Sequence, residues 1–386
     1  MKKIADRMDM VVPSQINEFF NMLLEDNSAI PLCVGQPNFS TPRHISEAAS
    51  QSILKGKNFY TDDNGMKEVR EEVTTFVKRK YQCDYTSKQV LLTIGASEAI
   101  DLAMRVLVDP GDEVIVFDPI YDAYCPCICL NGGIPIHIEL KEENQFKVKA
   151  SDLERKITSK TKAIILNFPN NPTGAIMTRE DLIPIAELCI KYDLYVITDE
   201  VYSELTYCGF HCTIASLGGM KERTILINSL SKTYAMTGFR LGYICASQKI
   251  IDAMRKIHGY VIVSCPSMSQ YAAIEALKNG DDDIAYMRED YDKRRKYAYQ
   301  RVRDMGLDCF EPKGAFYLFP SIKKFNIDSF TFAMRLFKEK KVSVIPGTAF
   351  GKSGEYNLRI SYTCSFENLV VGLNRLEEFI HSLEAK

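Results

Sequence analysis

The 386-residue chain has no excess of either charge, no long apolar run and no targeting sequence that we recognise. Its formal net charge of −2 provides no basic field for nucleic acid or for an anionic membrane. No apolar run approaches the roughly 18 residues that span a bilayer, and the charged N-terminal segment lacks the apolar stretch of a signal peptide. These absences predict a cytoplasmic protein without nucleic-acid or membrane partners.

Metal-ligand spacing is also lacking, although the chain contains twelve cysteines. The densest cluster, Cys125, Cys127 and Cys129, has a C-x-C-x-C spacing that zinc sites do not usually have. Free cysteine packs as a small hydrophobic residue, and thiols stay reduced in the cytosol. We therefore predict buried, reduced thiols and no metal site.

Short β-rich runs alternate with longer helical stretches between about residues 90 and 246. The runs begin at Val90, Glu113, Ile134, Ala163, Leu194, Thr224 and Gly242. Several are apolar without alternation, as expected for strands that helices cover on both faces. The pattern predicts an α/β fold whose large domain has a mostly parallel seven-stranded sheet. In such sheets, ligands bind beyond the carboxyl ends of the strands.

The pattern changes after about residue 257. A charged stretch from Asp281 to Arg303 predicts a helix with a solvated face, and a closing helix is predicted from about Phe366 to Leu383. Three separated β-like runs lie between them, at 315–319, 342–345 and 357–361. Because a chain of this length exceeds one usual core, we predict two domains. The large domain is assigned to 46–283, and a smaller α+β domain to 1–45 together with 284–386.

Lys232 is the most informative single residue, and it lies in a hydroxyl-rich run from Ser229 to Arg240. An amine flanked by hydroxyls, with an arginine eight positions on, suits a Schiff base beside a bound phosphate. Enzymes that use pyridoxal phosphate (PLP) hold the cofactor by such a lysine. Ser229 and Lys232 also match the S-x-x-K pattern of serine acyl-enzymes, but the chain has no S-D-N or K-T-G partner. A Ser/Thr-rich loop before a strand is the third interpretation of this run.

Two further segments place polar groups at strand ends. At Gly95, Ala96 and Ser97 a strand runs through glycine into a helix, where free amides form a phosphate site. An ordinary turn capped by Ser97 is the alternative. Asn171 lies in a loop made rigid by prolines and glycine, so its amide can donate to the phenolate oxygen of a pyridine ring.

Two more segments add an acid and aromatic groups. Asp199 ends an apolar strand, where an unpaired carboxylate is costly to bury and a pyridinium N–H would supply a partner. Tyr202 follows it and could join Asn171 at the phenolic oxygen. Tyr121, just after another strand, could lay its ring on a cofactor ring. The alternatives are an acidic cap for Asp199 and a core aromatic for Tyr121.

Together these segments resemble class I/II aminotransferases, the PLP enzymes of fold type I, over about residues 30–380. The resemblance implies that Lys232 is the Schiff-base lysine and, once freed, the proton shuttle. Asp199 is the implied partner of the pyridine nitrogen, and Asn171 and Tyr202 are the implied partners of O3′. Tyr121 matches the ring-stacking aromatic, and the phosphate site matches Gly95, Ala96, Ser97, Ser229 and Arg240.

The resemblance also implies how substrate and a second subunit are bound. Arg359 matches the arginine that clamps the substrate α-carboxylate, a two-pronged contact that suits a planar guanidinium. Gly35 and Asn171 match positions facing the same substrate. Tyr60 matches a tyrosine that reaches the phosphate of the neighbouring subunit, which implies an obligate homodimer with shared active sites.

The implied activity is ping-pong transfer of an amino group from an L-amino acid to a 2-oxo acid, with 2-oxoglutarate as the expected acceptor. Many aspartate-type bacterial members have a lysine where this chain has Ser97. Longer matching segments look most like a bacterial subgroup described as aromatic or N-acetyl-diaminopimelate aminotransferases. We therefore expect aromatic, aspartate-like or N-acetyl-LL-diaminopimelate donors.

Two rival functions use the same fold. A PLP-dependent cysteine-S-conjugate β-lyase would employ the same residues to expel a β-substituent. A non-catalytic PLP-fold regulator would usually carry an N-terminal DNA-binding helix-turn-helix, whereas here the aminotransferase pattern starts within about 35 residues. One further motif, Gly347 to Ser353, resembles a nucleotide-binding P-loop. It is one residue short, with Pro346 where the first glycine is needed, so we discard that interpretation.

Overall fold

A seven-stranded sheet lies at the centre of the computed structural model, which describes residues 2–384. The strands over these residues are β1 (Ile30–Pro31), β2 (Val90–Thr93), β3 (Glu113–Asp118), β4 (Ile134–Glu139), β5 (Thr161–Asn167), β6 (Tyr195–Asp199), β7 (Thr224–Ser229), β8 (Gly242–Cys245), β9 (Tyr317–Leu318), β10 (Val342–Ser343), β11 (Ile345–Pro346) and β12 (Leu358–Ser361). The central sheet has the order β2-β8-β7-β6-β5-β3-β4. All its strands are parallel except β8, which runs antiparallel to β2 and β7. The predicted α/β class and mostly parallel sheet are confirmed.

Helices cover the sheet and form much of the remaining chain. They are α1 (Gln15–Glu25), α2 (Arg43–Leu54), α3 (Lys67–Tyr81), α4 (Gly95–Leu107), α5 (Tyr124–Leu130), α6 (Ala150–Glu154), α7 (Arg179–Lys191), α8 (Leu230–Thr233), α9 (Gln248–Val261), α10 (Ser267–Asn279), α11 (Asp281–Asp304), α12 (Ser329–Lys340) and α13 (Phe366–Glu384). No helix within residues 2–384 is both long and apolar enough to cross a membrane.

Burial on both faces explains why the strands read as continuous apolar runs. Along β3, Val114 and Val116 pack into one hydrophobic cluster, while Ile115 and Phe117 pack into another. Successive side chains of a strand point to opposite faces, so a strand covered on both sides needs apolar residues at every position. The apolar pattern therefore reports the layered architecture directly.

The C-terminal part forms a second, smaller sheet with the order β11-β12-β9, in which both pairs are antiparallel. The N-terminal segment joins this part of the chain because β1 pairs in parallel with β10, with Ile30 opposite Val342. The domain boundaries predicted at 45/46 and 283/284 fall inside helices α2 and α11. Those boundaries stay a prediction.

The expectation of a fully solvated charged face on α11 is wrong for two arginines. Arg294 and Arg295 are only 7% and 4% exposed, because this helix also packs its apolar side on the core. Arg294 pairs with Asp290 at 2.6 Å, and Arg295 pairs with Asp292 at 2.7 Å. Carboxylates one helical turn away compensate the cost of burying each guanidinium.

All twelve cysteines are free thiols, as predicted, but they are not all buried. Cys125, Cys127, Cys129 and Cys212 are partly exposed, and Cys208 is exposed. The cluster on α5 therefore departs from the expectation of simple core packing. Among the described residues, no group of three or more His, Cys, Asp or Glu side chains could hold a metal ion.

Candidate active site

A cavity of about 330 Å³ lies beyond the carboxyl ends of β3, β5, β6 and β7. Strand order brings these ends together, although the residues that follow them are far apart in the chain. Most of the predicted site residues line the cavity: Gly35, Ala96, Ser97, Tyr121, Asn171, Asp199, Tyr202, Ser229, Lys232, Arg240 and Arg359. Gly95 lies directly beside it, in contact range of Arg240.

Lys232 lies on the short helix α8, which follows β7 directly. Ser229 starts this helix by accepting a hydrogen bond from the backbone N–H of Ser231, and the Lys232 amine donates to the carbonyl oxygen of Gly35 at 2.6 Å. Burial, together with the charges of Arg359 and Arg240, lowers the pKa of Lys232 to about 8, against the opposing effect of Asp199. A substantial fraction of this amine is therefore neutral near physiological pH.

Asp199 ends β6 and is 4% exposed. Its Oδ2 accepts a hydrogen bond from the Tyr124 hydroxyl at 2.8 Å, and its Oδ1 accepts from the backbone N–H of Val201 at 3.3 Å. Burial raises the pKa of Asp199 to about 6, although both hydrogen bonds oppose this effect. Because burying an ionised carboxylate costs free energy, a further N–H donor from a ligand would stabilise Asp199.

Arg359 is buried at the centre of the smaller sheet, because β12 lies between β11 and β9. Its two terminal nitrogens donate to Asn171 Oδ1 at 3.1 Å and to the Cys33 carbonyl oxygen at 2.7 Å. The guanidinium carbon lies 4.4 Å from the centre of the Tyr317 ring, a cation–π geometry. Arg359 therefore lies in the interior strand of this sheet rather than on an edge.

The contact between Arg359 and Asn171 also orients the amide. Because Asn171 Oδ1 accepts from the guanidinium, Nδ2 is the group left to donate to a ligand in the cavity. The Nε of Arg359 is buried and has no hydrogen-bond partner among the described residues. A buried charged donor without a partner is typical of a site that binds an anion.

Aromatic residues form one wall of the cavity. The Tyr202 and Tyr317 hydroxyls lie 2.8 Å apart, and the Tyr121 and Tyr124 rings meet edge to face at 5.7 Å. Gly35 faces this wall, and a Cβ atom there would lie 2.7 Å from the Tyr317 hydroxyl. Glycine therefore lets the backbone carbonyl approach Lys232 without displacing Tyr317.

Hydrogen-bond donors suited to an anion line the cavity at the start of α4. Helix α4 begins at Gly95, whose φ of +71° suits glycine, and a Cβ atom there would lie 2.8 Å from Nη2 of Arg240. Ser97 does not cap this helix, since Ile94 occupies the capping position. Free amides at the start of α4, the Ser97 and Ser229 hydroxyls and the Arg240 guanidinium together match a phosphate.

Several cavity residues were missed at the sequence level. Asn167 ends β5, so its strand-end position was the available signal, whereas Tyr124 and Tyr317 reach the cavity from α5 and β9 without one. Helix α1 contributes Ile16, Asn17 and Phe20, for which the sequence provides no comparable pattern. This helix reaches the cavity through tertiary packing, and Ser14 at its start donates a hydrogen bond to Asp122.

Tyr60 is the predicted site residue that lies apart from the cavity. It is 84% exposed, and the neighbouring Phe59 is 81% exposed. Its expected role belongs to the site of a second subunit, so the position of Tyr60 in one chain does not test it. That role stays a prediction.

Comparison with known proteins assigns the class. The family model for aminotransferase class I and II matches residues 27–376, so the chain belongs to this family. It is 41% identical over 379 residues to the putative aminotransferase YugH of Bacillus subtilis, covering 98% of each chain. It is 42% identical over 368 residues to the probable N-acetyl-LL-diaminopimelate aminotransferase of the same organism, covering 95% of this chain and 93% of the other.

Solved structures agree with this assignment. Aspartate aminotransferase from Thermus thermophilus with maleate has a TM-score of 0.94 at 32% identity, covering 98% of this chain and 100% of the other. Aromatic aminotransferase from Pyrococcus horikoshii has a TM-score of 0.91 at 38% identity, covering 95% and 99%. The protein is an aminotransferase of fold type I and depends on PLP. These findings favour transamination over the β-lyase and regulator alternatives.

The cavity residues fit PLP in their chemistry. The anion site at α4 suits the phosphate group, and the buried Asp199 carboxylate suits a protonated ring nitrogen. Lys232 supplies an amine whose neutral form is accessible, and Asn171 retains an amide donor for a ring oxygen. The phosphate, the ring nitrogen, the aldehyde and the ring oxygen of PLP would thus each meet a group of suitable charge and hydrogen-bonding capacity.

Proposed function

We propose that this aminotransferase takes its amino group from an L-amino acid with an aromatic, uncharged side chain and passes it to a 2-oxo acid. One observation carries the substrate proposal. The cations among the cavity-lining residues are Lys232, Arg240 and Arg359, and each already has a role in the site. No further cation of the lining remains to bind the second carboxylate of a donor such as aspartate.

Arg359 is assigned to the α-carboxylate that every amino-acid donor has. Its planar guanidinium is held by Asn171 and Cys33 and lies over Tyr317. This fixes the direction in which its N–H groups point, which suits a two-pronged contact with a carboxylate. Binding at this position sets the carbon next to the carboxylate at a defined distance from the Lys232 side of the cavity.

Lys232 is assigned to proton transfer at that carbon. When bound, PLP supplies an aldehyde that takes up amines and a ring that draws electrons from the bonds at the amine-bearing carbon. A lysine with a pKa of about 8 is partly neutral near pH 7, so it can accept a proton as a general base. Asp199, with a pKa of about 6, is mainly ionised at that pH and can hold a ring nitrogen in its protonated form.

The donor side chain is assigned to the part of the cavity formed by α1. Ile16 and Phe20 provide apolar surface, and Asn17 provides a neutral amide. Gln36 adds a second amide, so a neutral polar group such as the tyrosine hydroxyl finds hydrogen-bond partners there. An aromatic donor matches this combination better than a dicarboxylic one.

A half-reaction screen tests the substrate proposal. Purified PLP-loaded enzyme is mixed with phenylalanine, tyrosine, aspartate or N-acetyl-LL-diaminopimelate, and the loss of the cofactor's visible absorbance is followed. We expect phenylalanine or tyrosine to exceed aspartate and N-acetyl-LL-diaminopimelate, which both carry a second carboxylate, at least about tenfold in kcat/KM, since one unmatched charged contact costs roughly 1.5–3 kcal/mol. Aspartate as the best donor would overturn the assignment. Pyruvate release from cystathionine without any oxo acid would instead indicate the β-lyase activity.

We also propose a homodimer in which Tyr60 reaches the phosphate site of the partner subunit. Phe59, Tyr60 and Tyr260 are 81%, 84% and 94% exposed, a degree of aromatic exposure typical of an interface. The backbone N–H of Thr61 donates to the Ser264 hydroxyl at 3.4 Å, which keeps the two exposed segments together. Light scattering should give twice the chain mass of 43.8 kDa. A monomer at micromolar concentration would contradict the proposal.

The cytoplasmic location remains part of the proposal. The absence of a membrane-spanning helix within the described residues is compatible with it. Fractionation of cells of the source organism, with immunodetection of this chain, tests the location directly. Recovery in a membrane or secreted fraction would contradict it.

A further inference from the structure

Three polar side chains next to α5 form a hydrogen-bonded series outside the active-site lining. The Asp118 carboxylate lies 2.9 Å from Nδ1 of His137, and Nε2 of His137 lies 3.9 Å from the sulfur of Cys125. Asp118 ends β3, His137 lies on β4, and Cys125 lies in the first turn of α5. Parallel pairing sets Val116 beside His137 in the sheet, which brings the imidazole close to the end of β3.

Asp118 is contacted by His137 on one side and approached by the loop at Gly351 on another. Asp118 is 6% exposed, and the loop that resembled a P-loop lies against it. A Cβ atom at Gly351 would lie only 2.9–3.1 Å from the carboxylate atoms of Asp118, and Gly351 has a φ of +111°. Glycine at this position therefore serves the close approach to Asp118 rather than the binding of a nucleotide.

His137 carries a positive charge over the working pH range. Its hydrogen bond to Asp118, with a smaller contribution from the contact with Cys125, raises the pKa of His137 to about 10. Half of its side chain remains open to solvent, with 45% exposure, so reagents can reach the imidazole and the sulfur next to it. Cysteine thiolates are stabilised as nucleophiles beside such a cation.

The other two thiols of α5 lack this arrangement. Burial raises the pKa of Cys127 to about 11, and burial also raises the pKa of Cys129. Both therefore remain in the weakly nucleophilic thiol form at neutral pH. Although the three cysteines alternate along the five residues 125–129, only Cys125 lies beside His137 among the described contacts.

We propose that Cys125 is an activated thiol and the site at which small-molecule disulfides modify this protein. The Cys125 thiolate attacks one sulfur of the disulfide, forming a protein mixed disulfide and breaking the original sulfur–sulfur bond. The second half leaves as a thiolate and takes up a proton from solvent. No other oxidant is required, since the small disulfide is reduced as Cys125 is oxidised.

Peptide-resolved labelling of the PLP-loaded enzyme tests this proposal. The protein is treated at pH 7 with a substoichiometric amount of 5,5′-dithiobis(2-nitrobenzoate), and the modified cysteines are identified by mass spectrometry. Cys208 is the internal comparison, because it is more exposed than Cys125. We expect Cys125 to react about tenfold faster, since a free thiol is only a few per cent thiolate at pH 7. Earlier labelling of Cys208, Cys127 or Cys129 would overturn the proposal.

A matched substitution separates activation from simple exposure. His137→Gln keeps a polar side chain that can still contact Asp118 but removes the positive charge. We expect it to lower the labelling rate of Cys125 to that of Cys208, with the rate of Cys208 unchanged. An unchanged rate at Cys125 would show that His137 does not activate the thiol. Because the wild-type comparison among the cysteines needs no variant, the proposal remains testable even where the substituted chain folds poorly.

Discussion

Replacing Asp199 by asparagine should stabilise the cofactor-free protein while removing its activity. In that state the carboxyl has a pKa of about 6, above its ordinary value of 3.8, because it is buried. The folded state therefore keeps this proton to a higher pH than the unfolded chain does. The stability that protonation contributes is fully present below about pH 4 and is lost as the pH rises through about 6.

The size of the effect follows from the shift. About two pKa units correspond to roughly 3 kcal/mol of lost stability at pH 8, of which about half is already lost at pH 5. The neutral amide avoids this loss, and its hydrogen bonds can be satisfied. Its oxygen can accept from the Val201 N–H while its nitrogen donates to the Tyr124 hydroxyl, which can act as donor or acceptor.

The test is urea unfolding of the cofactor-free wild type and of Asp199→Asn at pH 5 and pH 8, at equal protein concentration. The variant should gain about 1–3 kcal/mol at pH 8, and this gain should exceed that at pH 5 by about 1.4 kcal/mol. Asp109→Asn, at an exposed carboxylate, is the control for general charge effects. A variant less stable than wild type at pH 8, or a gain independent of pH, would refute the reasoning. Whatever the stability result, Asp199→Asn should lower the rate of transamination at least about hundredfold.

Three further outcomes follow from the site. Arg359→Lys should lower kcat/KM for the amino donor about ten- to hundredfold, because lysine lacks the planar guanidinium that contacts a carboxylate at two points. The Kd for PLP should stay near that of the wild type, and a matching loss of PLP binding would argue against a substrate role. The rate at which the cofactor-free enzyme takes up PLP, followed by absorbance, should rise with pH around a midpoint near 8 as Lys232 becomes neutral, and a flat profile would contradict the lowered pKa. Gly351→Ala should lower the free energy of unfolding by about 1–3 kcal/mol, because the Cβ atom of the alanine would meet the Asp118 carboxylate. Urea unfolding measures this loss, and a variant as stable as the wild type would show that the loop relaxes freely.

Strand positions were predictable because local chemistry determines them. Residues 114–117 are apolar at every position, which is the pattern expected of a strand that is covered on both faces. Polar residues at or shortly after the ends of such strands, including Asp199 and Asn171, were then assigned to one edge of the sheet. The same reasoning could not find Tyr124, because its contact with Asp199 spans 75 residues and depends on how two strands pair with β5.

Lys232, Asp199, Asn171 and Arg240 were assigned to a PLP site from the sequence, because each residue type suits one part of the cofactor and because the motifs resemble class I/II aminotransferases. Only tertiary structure decided that Arg359 is an interior residue held by Asn171, and that α1 lines the cavity. It also decided that Cys125 lies beside His137 rather than in the core. The reason is physical: residue chemistry and spacing are local properties, whereas burial, hydrogen-bond partners and pKa shifts arise from segments that meet only when the chain folds.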